Sequence, residues 1–263
     1  MQFIDFHTHI YPEKIVMRAT DSLSSIFGKP ADWPGTAENL LIFGMAAGIS
    51  KFVTLPVAMK EGQVRKINEF IIEQGQEYSA IIPFGALHAA QDNIIEEIDF
   101  IRSKGVKGVK IHPNQQGFAI DDSRMFDAYS YMSEIGLPVL FHCGSRESDL
   151  SNPPRLKKII GMFPDLKIVA AHFGGWQVYD EAYALLRKEN IHFDMSSSMY
   201  MLGLRKTAKF IRHYGAEKIF FGTDFPLCDQ SKEIERFLML DIPDSDKEKI
   251  AWQNAADFLG ISC

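Results

Sequence analysis

Eight short runs rich in valine, isoleucine and phenylalanine recur along the chain, and stretches of helical period separate them. No other feature limits the fold as much. The runs fall at Phe3–His9, Lys51–Leu55, Ala80–Gly85, Gly108–His112, Val139–His142, Ile168–His172, His192–Met195 and Ile219–Thr223, and each is short enough for a buried strand. Helices are expected at Thr36–Ala47, Glu61–Gln76, Gln91–Lys104, Ser123–Ile135, Pro153–Met162, Gln177–Lys188, Leu204–His213 and Lys232–Leu240. In the third of these, Ile94, Ile95, Ile98 and Ile101 form one apolar stripe, the pattern that packs a helix on a sheet. Gly48, Gly105, Gly136 and Gly215 sit where helices should stop, and Asp121 or Asp122 where one should be capped. The stretch GKPADWPG reads as an insertion in the first crossover, and Asp244–Ile261 as one added helical segment.

Eight strand-then-helix units predict an α/β protein, a (β/α)8 TIM barrel, which typically needs about 250 residues. This chain has 263, with no composition break, so one domain over 1–263 is expected. No GxGxxG follows the first strand, which argues against a dinucleotide fold. The 28 lysines and arginines against 34 aspartates and glutamates leave a net charge of −6. That balance predicts no nucleic-acid partner and no anionic membrane surface, and points to a small-molecule substrate. The longest uncharged stretch, Tyr78–Gln91, falls short of the roughly 20 residues of a membrane span. The start has no basic n-region and no long apolar run, and Cys143, Cys228 and Cys263 show no CxxC spacing. A cytoplasmic protein with free thiols is expected.

In a barrel the chemistry collects at the C-terminal ends of strands. Those ends here carry His7 and His9, then Lys110 and His112, His142, His172 and Asp224. His7 and His9 alternate with Phe6 and Thr8, so they share a strand face, with Cα atoms about 6.5 Å apart. Two imidazoles at that spacing can reach one metal ion. A lone HxH pair is more often a core feature, but His142 and Asp224 at two further strand ends complete a shell suited to zinc, manganese or iron.

The segments FIDFHTHIYP, GVKGVKIHP, PVLFHCG, IVAAHFGGW, FFGTDFPL and NAADFLGI, in that order, resemble the amidohydrolase superfamily. The likeness is to its amidohydrolase-related branch, which includes aminocarboxymuconate-semialdehyde decarboxylase. The resemblance implies a distorted barrel with one divalent metal ion, Zn2+ first and Mn2+ as the alternative, held by His7, His9, His142 and Asp224. It implies that His172 acts on substrate, that Asp224 also accepts a proton, and it suggests a homodimer.

His112, Arg146 and Trp176 are the candidate substrate contacts; a loop arginine can grip a carboxylate through two bonds. Asp5 shares the parity of His7 and is expected to support a ligand. Cys143 should turn away from His142, and His88, His192 and His213 read as structural or exposed. Lys110 faces inward, where a carbamylated lysine could bridge two metals. His112 lies nearer the strand end, so one metal with Lys110 beneath it is expected. Three functions follow. The first is a hydrolase in which the metal and Asp224 activate water against an amide or lactone. The second is a non-oxidative decarboxylase of a small carboxylic acid, aromatic acids included. The third is a catalytically silent metal-binding barrel.

Overall fold

The computed structural model describes residues 1–261, which leaves Cys263 outside the described residues. In chain order the strands are β1 (Phe3–Thr8), β2 (Ile49–Thr54), β3 (Ile81–Pro83), β4 (Gly85–Ala86), β5 (Val109–Ile111), β6 (Val139–Phe141), β7 (Ile168–Ala170), β8 (His192–Asp194) and β9 (Ile219–Phe220). All eight expected runs form strands. The third is split at Phe84, because Pro83 has no N–H to continue a ladder.

The chain gathers into two units interleaved in sequence. One comprises residues 1–54, 78–82 and 195–263, the other residues 55–77 and 83–194. In the first unit β1 pairs parallel with β2, with Phe3 opposite Ile49 and Thr8 opposite Thr54. The Phe52 N–H donates to Ala80 O (2.9 Å), which sets β3 beside β2. The other edge of β1 meets the β9 segment: Phe6 N donates to Phe221 O (2.9 Å) and Asp224 N to His7 O (2.8 Å). Phe6 stacks on Phe220 at 4.2 Å and Phe3 meets Phe221 edge-on at 5.0 Å. Each such ring taken out of water contributes about 1.5–3 kcal/mol. In the second unit β4 to β8 run side by side, all parallel, with Val109 opposite Val139 and Val139 opposite Ile168. Their residues are buried on both faces apart from His192, which is why these strands read as unbroken apolar runs.

Pro153–Met162 forms the helix expected there, opened by two prolines in its first turn. Thr36 caps Ala37–Ala46 by accepting from Asn39 N (3.0 Å), and the four expected glycine stops all have positive φ. Several expectations change. Val16–Phe27 is a helix that the Ser/Thr-rich sequence concealed, since such residues dilute the apolar stripe. The helix expected at Gln177–Lys188 shrinks to Tyr179–Leu185, because Gln177 adopts a left-handed backbone. The one expected at Leu204–His213 starts earlier, at Met199, across a kink at Gly203. A short helix, Pro113–Gln116, follows β5 unannounced. The tail divides into Asp244–Glu248, a π-helical turn at Lys249–Gln253 and Asn254–Leu259. Asp122 is the cap, accepting from Arg124 N (3.0 Å), while Asp121 instead binds Arg155 and Lys158.

Candidate metal centre and histidine cluster

In the first unit, the end of β1 and the residue after Thr223 bring three donor atoms together. His7 Nε2 and His9 Nε2 lie 3.2 Å apart, and Asp224 Oδ1 is 3.5 Å from the first and 3.3 Å from the second. All three residues are buried. Strand alternation therefore delivers both imidazoles to one point, despite an irregular register between Asp5 and Thr8. Asp224 reaches them from a left-handed backbone (φ 69), a conformation that costs a non-glycine residue of order 1 kcal/mol or more. Its N–H donates to His7 O, and His9 N donates to Phe225 O (2.8 Å), so β1 and the Asp224 turn are stitched on both sides.

Two hydroxyls stand behind this group. Ser196 Oγ lies 3.0 Å from His7 Nδ1, and Ser197 Oγ donates to Asp224 Oδ2 at 2.5 Å. When His7 Nδ1 carries the proton and donates to Ser196, its Nε2 presents a lone pair toward His9 and Asp224. Two imidazole nitrogens and a carboxylate oxygen this close, buried, form a donor set that suits a divalent transition metal. The residues present thus fit the cation that the sequence implies. Gly222 belongs to the same arrangement: a Cβ there would meet His7 Cβ at 3.1 Å and Ser196 Cβ at 3.2 Å.

Asp5 acts on the backbone rather than on an imidazole. It accepts from His7 N (3.2 Å), Thr223 N (2.9 Å), Thr223 Oγ1 (2.6 Å) and Gln230 Nε2 (3.4 Å). Burial raises its pKa to about 7 against the pull of those donors.

The second unit carries a histidine cluster. The His112 ring stacks on the His142 ring at 4.0 Å with a 7° tilt, and His142 Nδ1 lies 3.1 Å from His172 Nε2. His142 Nε2 is 3.2 Å from Gly144 O; a carbonyl only accepts, so that contact assigns the proton to Nε2 and a lone pair to Nδ1. Trp176 is buried with its ring 6.2 Å from that of His142. Gly144 can be nothing but glycine: its φ is +96 and a Cβ would stand 2.4 Å from Trp176 N. His172 and Phe173 both have positive φ, and Asp194 Oδ1 accepts from His172 N (3.2 Å). Lys110 is buried.

Cys143 is buried beside His142 in sequence, its Sγ 3.4 Å from Phe141 O, and burial pushes its thiol well above the ordinary range. A thiol held neutral is no nucleophile. Arg146 is exposed and tied to Gln177, with Nε donating to the Gln177 carbonyl at 3.1 Å. Asp194, Ser196 and Ser197 escaped the sequence reading, although they sit in and directly after the seventh apolar run. His88, read as structural or exposed, is buried, and its Nδ1 accepts from Ala90 N (3.1 Å).

The family model described as amidohydrolase matches residues 4–261 of this chain. The chain belongs to the amidohydrolase family. No curated protein sequence matches this amidohydrolase. Solved structures do. An uncharacterized TIM-barrel protein from Bordetella bronchiseptica is 22% identical over 99% of both chains, with a TM-score of 0.80. The 5-carboxyvanillate decarboxylase of Novosphingobium aromaticivorans, complexed with manganese and 4-hydroxy-3-methoxy-5-nitrobenzoic acid, is 16% identical over 99% of this chain and 96% of that one (TM-score 0.77). The 2,6-dihydroxybenzoate decarboxylase from Rhizobium is 17% identical over 99% of both chains (TM-score 0.73). The amidohydrolase thus has the expected α/β fold, a TIM barrel. Among the described residues no helix is long and apolar enough to cross a membrane.

Proposed function

We propose that this amidohydrolase is a metal-dependent, non-oxidative decarboxylase of a small aromatic carboxylic acid. The sequence placed hydrolysis first; the solved structures favour the second reading. One observation carries it: a buried His7–His9–Asp224 donor group in a chain whose fold matches decarboxylases of 5-carboxyvanillate and 2,6-dihydroxybenzoate along nearly its whole length. The engagement of Asp224 supports it further. Its Oδ2 already accepts from Ser197 and its Oδ1 faces two imidazoles, an arrangement better suited to holding a cation than to taking a proton from water.

In this reading His7, His9 and Asp224 would hold one divalent ion. When bound, the ion supplies the positive charge that anchors acidic substrate oxygens. Zinc follows from the ligand types, and the manganese of the Novosphingobium enzyme makes Mn2+ the ion to test beside it. His172 Nε2 delivers the proton. As the bond between ring carbon and carboxylate breaks, its electron pair stays on the ring carbon, that carbon takes the proton, and CO2 leaves. His112 and Trp176, both beside the His142 ring, would give the aromatic substrate faces to lie against. Arg146 would have to leave Gln177 to grip a carboxylate. The acidic net charge supports a small-molecule substrate without nucleic-acid or anionic-membrane partners. The homodimer rests on the resemblance alone.

The test offers the protein, loaded with Mn2+ or Zn2+, a panel of hydroxybenzoic acids, lactones and amides, and follows CO2 and hydrolysis products together. CO2 release from a hydroxybenzoic acid is expected. Lactone or amide cleavage with no CO2 from any acid would return the assignment to a hydrolase.

A further inference from the structure

Two buried nitrogen donors in the second unit are left unspent by the protein, one in the loop after β4 and one in the short helix Pro113–Gln116 after β5. His88 is 7% exposed, and its Nδ1 accepts from the Ala90 N–H at 3.1 Å. The ring proton therefore sits on Nε2, a buried atom with no hydrogen-bond partner. Asn114 is oriented by Ser151. That hydroxyl accepts from Gly144 N (3.1 Å) and donates to Asn114 Oδ1 (2.5 Å), which leaves the buried Asn114 Nδ2 without a partner. Buried donors are rarely left unsatisfied, and a native exception asks for a reason.

The two segments are stitched together. Gln116 Nε2 donates to Leu87 O at 2.7 Å and to Ala58 O at 2.9 Å, while its Oε1 accepts from His112 N at 2.7 Å. The His88 ring meets Phe118 edge-on at 5.3 Å. Ser151 also joins Asn114 to Gly144, whose carbonyl faces His142 Nε2. The unspent donors are thus bonded into the frame that carries His112 and His142.

We propose that His88 Nε2–H and Asn114 Nδ2–H form a two-donor subsite for a carboxylate of the substrate. Both groups only donate at these atoms, and a carboxylate only accepts, with two oxygens for two donors. The choice of an aromatic acid as the carrier of that carboxylate rests on the decarboxylase reading; the donor pair does not.

Binding, rather than turnover, tests it. Benzoate, 2,6-dihydroxybenzoate and resorcinol, the last lacking a carboxylate, are titrated calorimetrically into Mn2+-loaded wild-type protein and two variants. His88→Asn keeps an acceptor for Ala90 N and removes Nε2. Asn114→Asp keeps the acceptor for Ser151 and turns the free donor into an anionic acceptor. Each variant should weaken acid binding about tenfold or more, the scale of a hydrogen bond to a charged group, and leave resorcinol binding unchanged. Unaltered acid binding in folded variants would overturn the subsite. So would equal weakening of resorcinol, no acid bound by the wild-type protein, or a crystal structure with an acid that shows only water on both atoms. Acid-selective binding without CO2 release would retire the decarboxylase reading and keep the subsite.

Discussion

The group around His7 and the cluster around His142 are both histidine-rich and buried, yet they are built on different principles. The first is braced by bonds that leave little freedom. Backbone pairs flank β1, Asp5 accepts from four donors on His7, Thr223 and Gln230, and a serine hydroxyl stands behind His7 and another behind Asp224. The second is made of ring contacts, with a stacked pair, a nitrogen-to-nitrogen approach, and backbone at positive φ through His172 and Phe173. A metal site needs fixed donor atoms, whereas a proton-transfer site needs a group that can change its protonation. In the proposed reading, residues of one type, at equivalent places after strands, are divided between holding and reacting by what stands behind them.

The comparison can be broken at its strongest point first. His7→Ala should remove the metal and bring turnover to background, as seen by elemental analysis beside an activity assay. His172→Asn should keep the metal content and melting temperature of the wild-type protein while lowering kcat about 10²-fold or more, the usual scale for a proton-transfer group. If both variants lost metal alike, the division between holding and reacting would fail.

Ser197→Ala removes the hydroxyl behind Asp224 without touching an imidazole. Metal affinity, measured by competition with a chromophoric chelator, should fall about 10-fold or more, on the scale of such supporting contacts. An unchanged affinity would make Ser197 a bystander.

The smallest effect is expected at Asp121, outside both groups. Asp121 is pulled two ways: burial raises its pKa, and the bonds from Lys158 and Arg155 outweigh that and hold it below the usual carboxylate value. A carboxylate whose folded pKa is lowered stabilises the protein above its unfolded pKa, and the contribution is lost as pH falls through the folded value. With Arg155 and Lys158 partly exposed, Asp121→Asn should cost about 1 kcal/mol or less near neutrality. Thermal melts at neutral and acid pH should show that gap closing in acid; a gap that widens there would reverse the sign.

The barrel pattern was legible because its strands are apolar on both faces, and His7 and His9 were legible because a period of two fixes a shared face. Asp224 could be read as a strand-end carboxylate, but its left-handed backbone could not, since nothing local in Thr223-Asp224-Phe225 demands it. Ser196 and Ser197 were missed for a related reason. A serine run reads as loop, and only the fold carries its hydroxyls to His7 and Asp224, at 189 and 27 residues' separation. His88 was set aside because a histidine followed by two alanines carries no spacing signal; its significance rests on which ring nitrogen Ala90 occupies. Asp121 and Asp122 were interchangeable as caps until the positions of Arg155 and Lys158 were known.

The central claim is that one metal ion, held by His7, His9 and Asp224, drives loss of CO2. It is tested most directly by titrating metal-free protein with Mn2+ in the presence of bicarbonate and following CO2 release from 2,6-dihydroxybenzoate. The account predicts no release without metal and a linear rise that saturates at one ion per chain, unchanged in Lys110→Ala. Release from the metal-free protein, or saturation at two ions per chain that falls to one in Lys110→Ala, would contradict it.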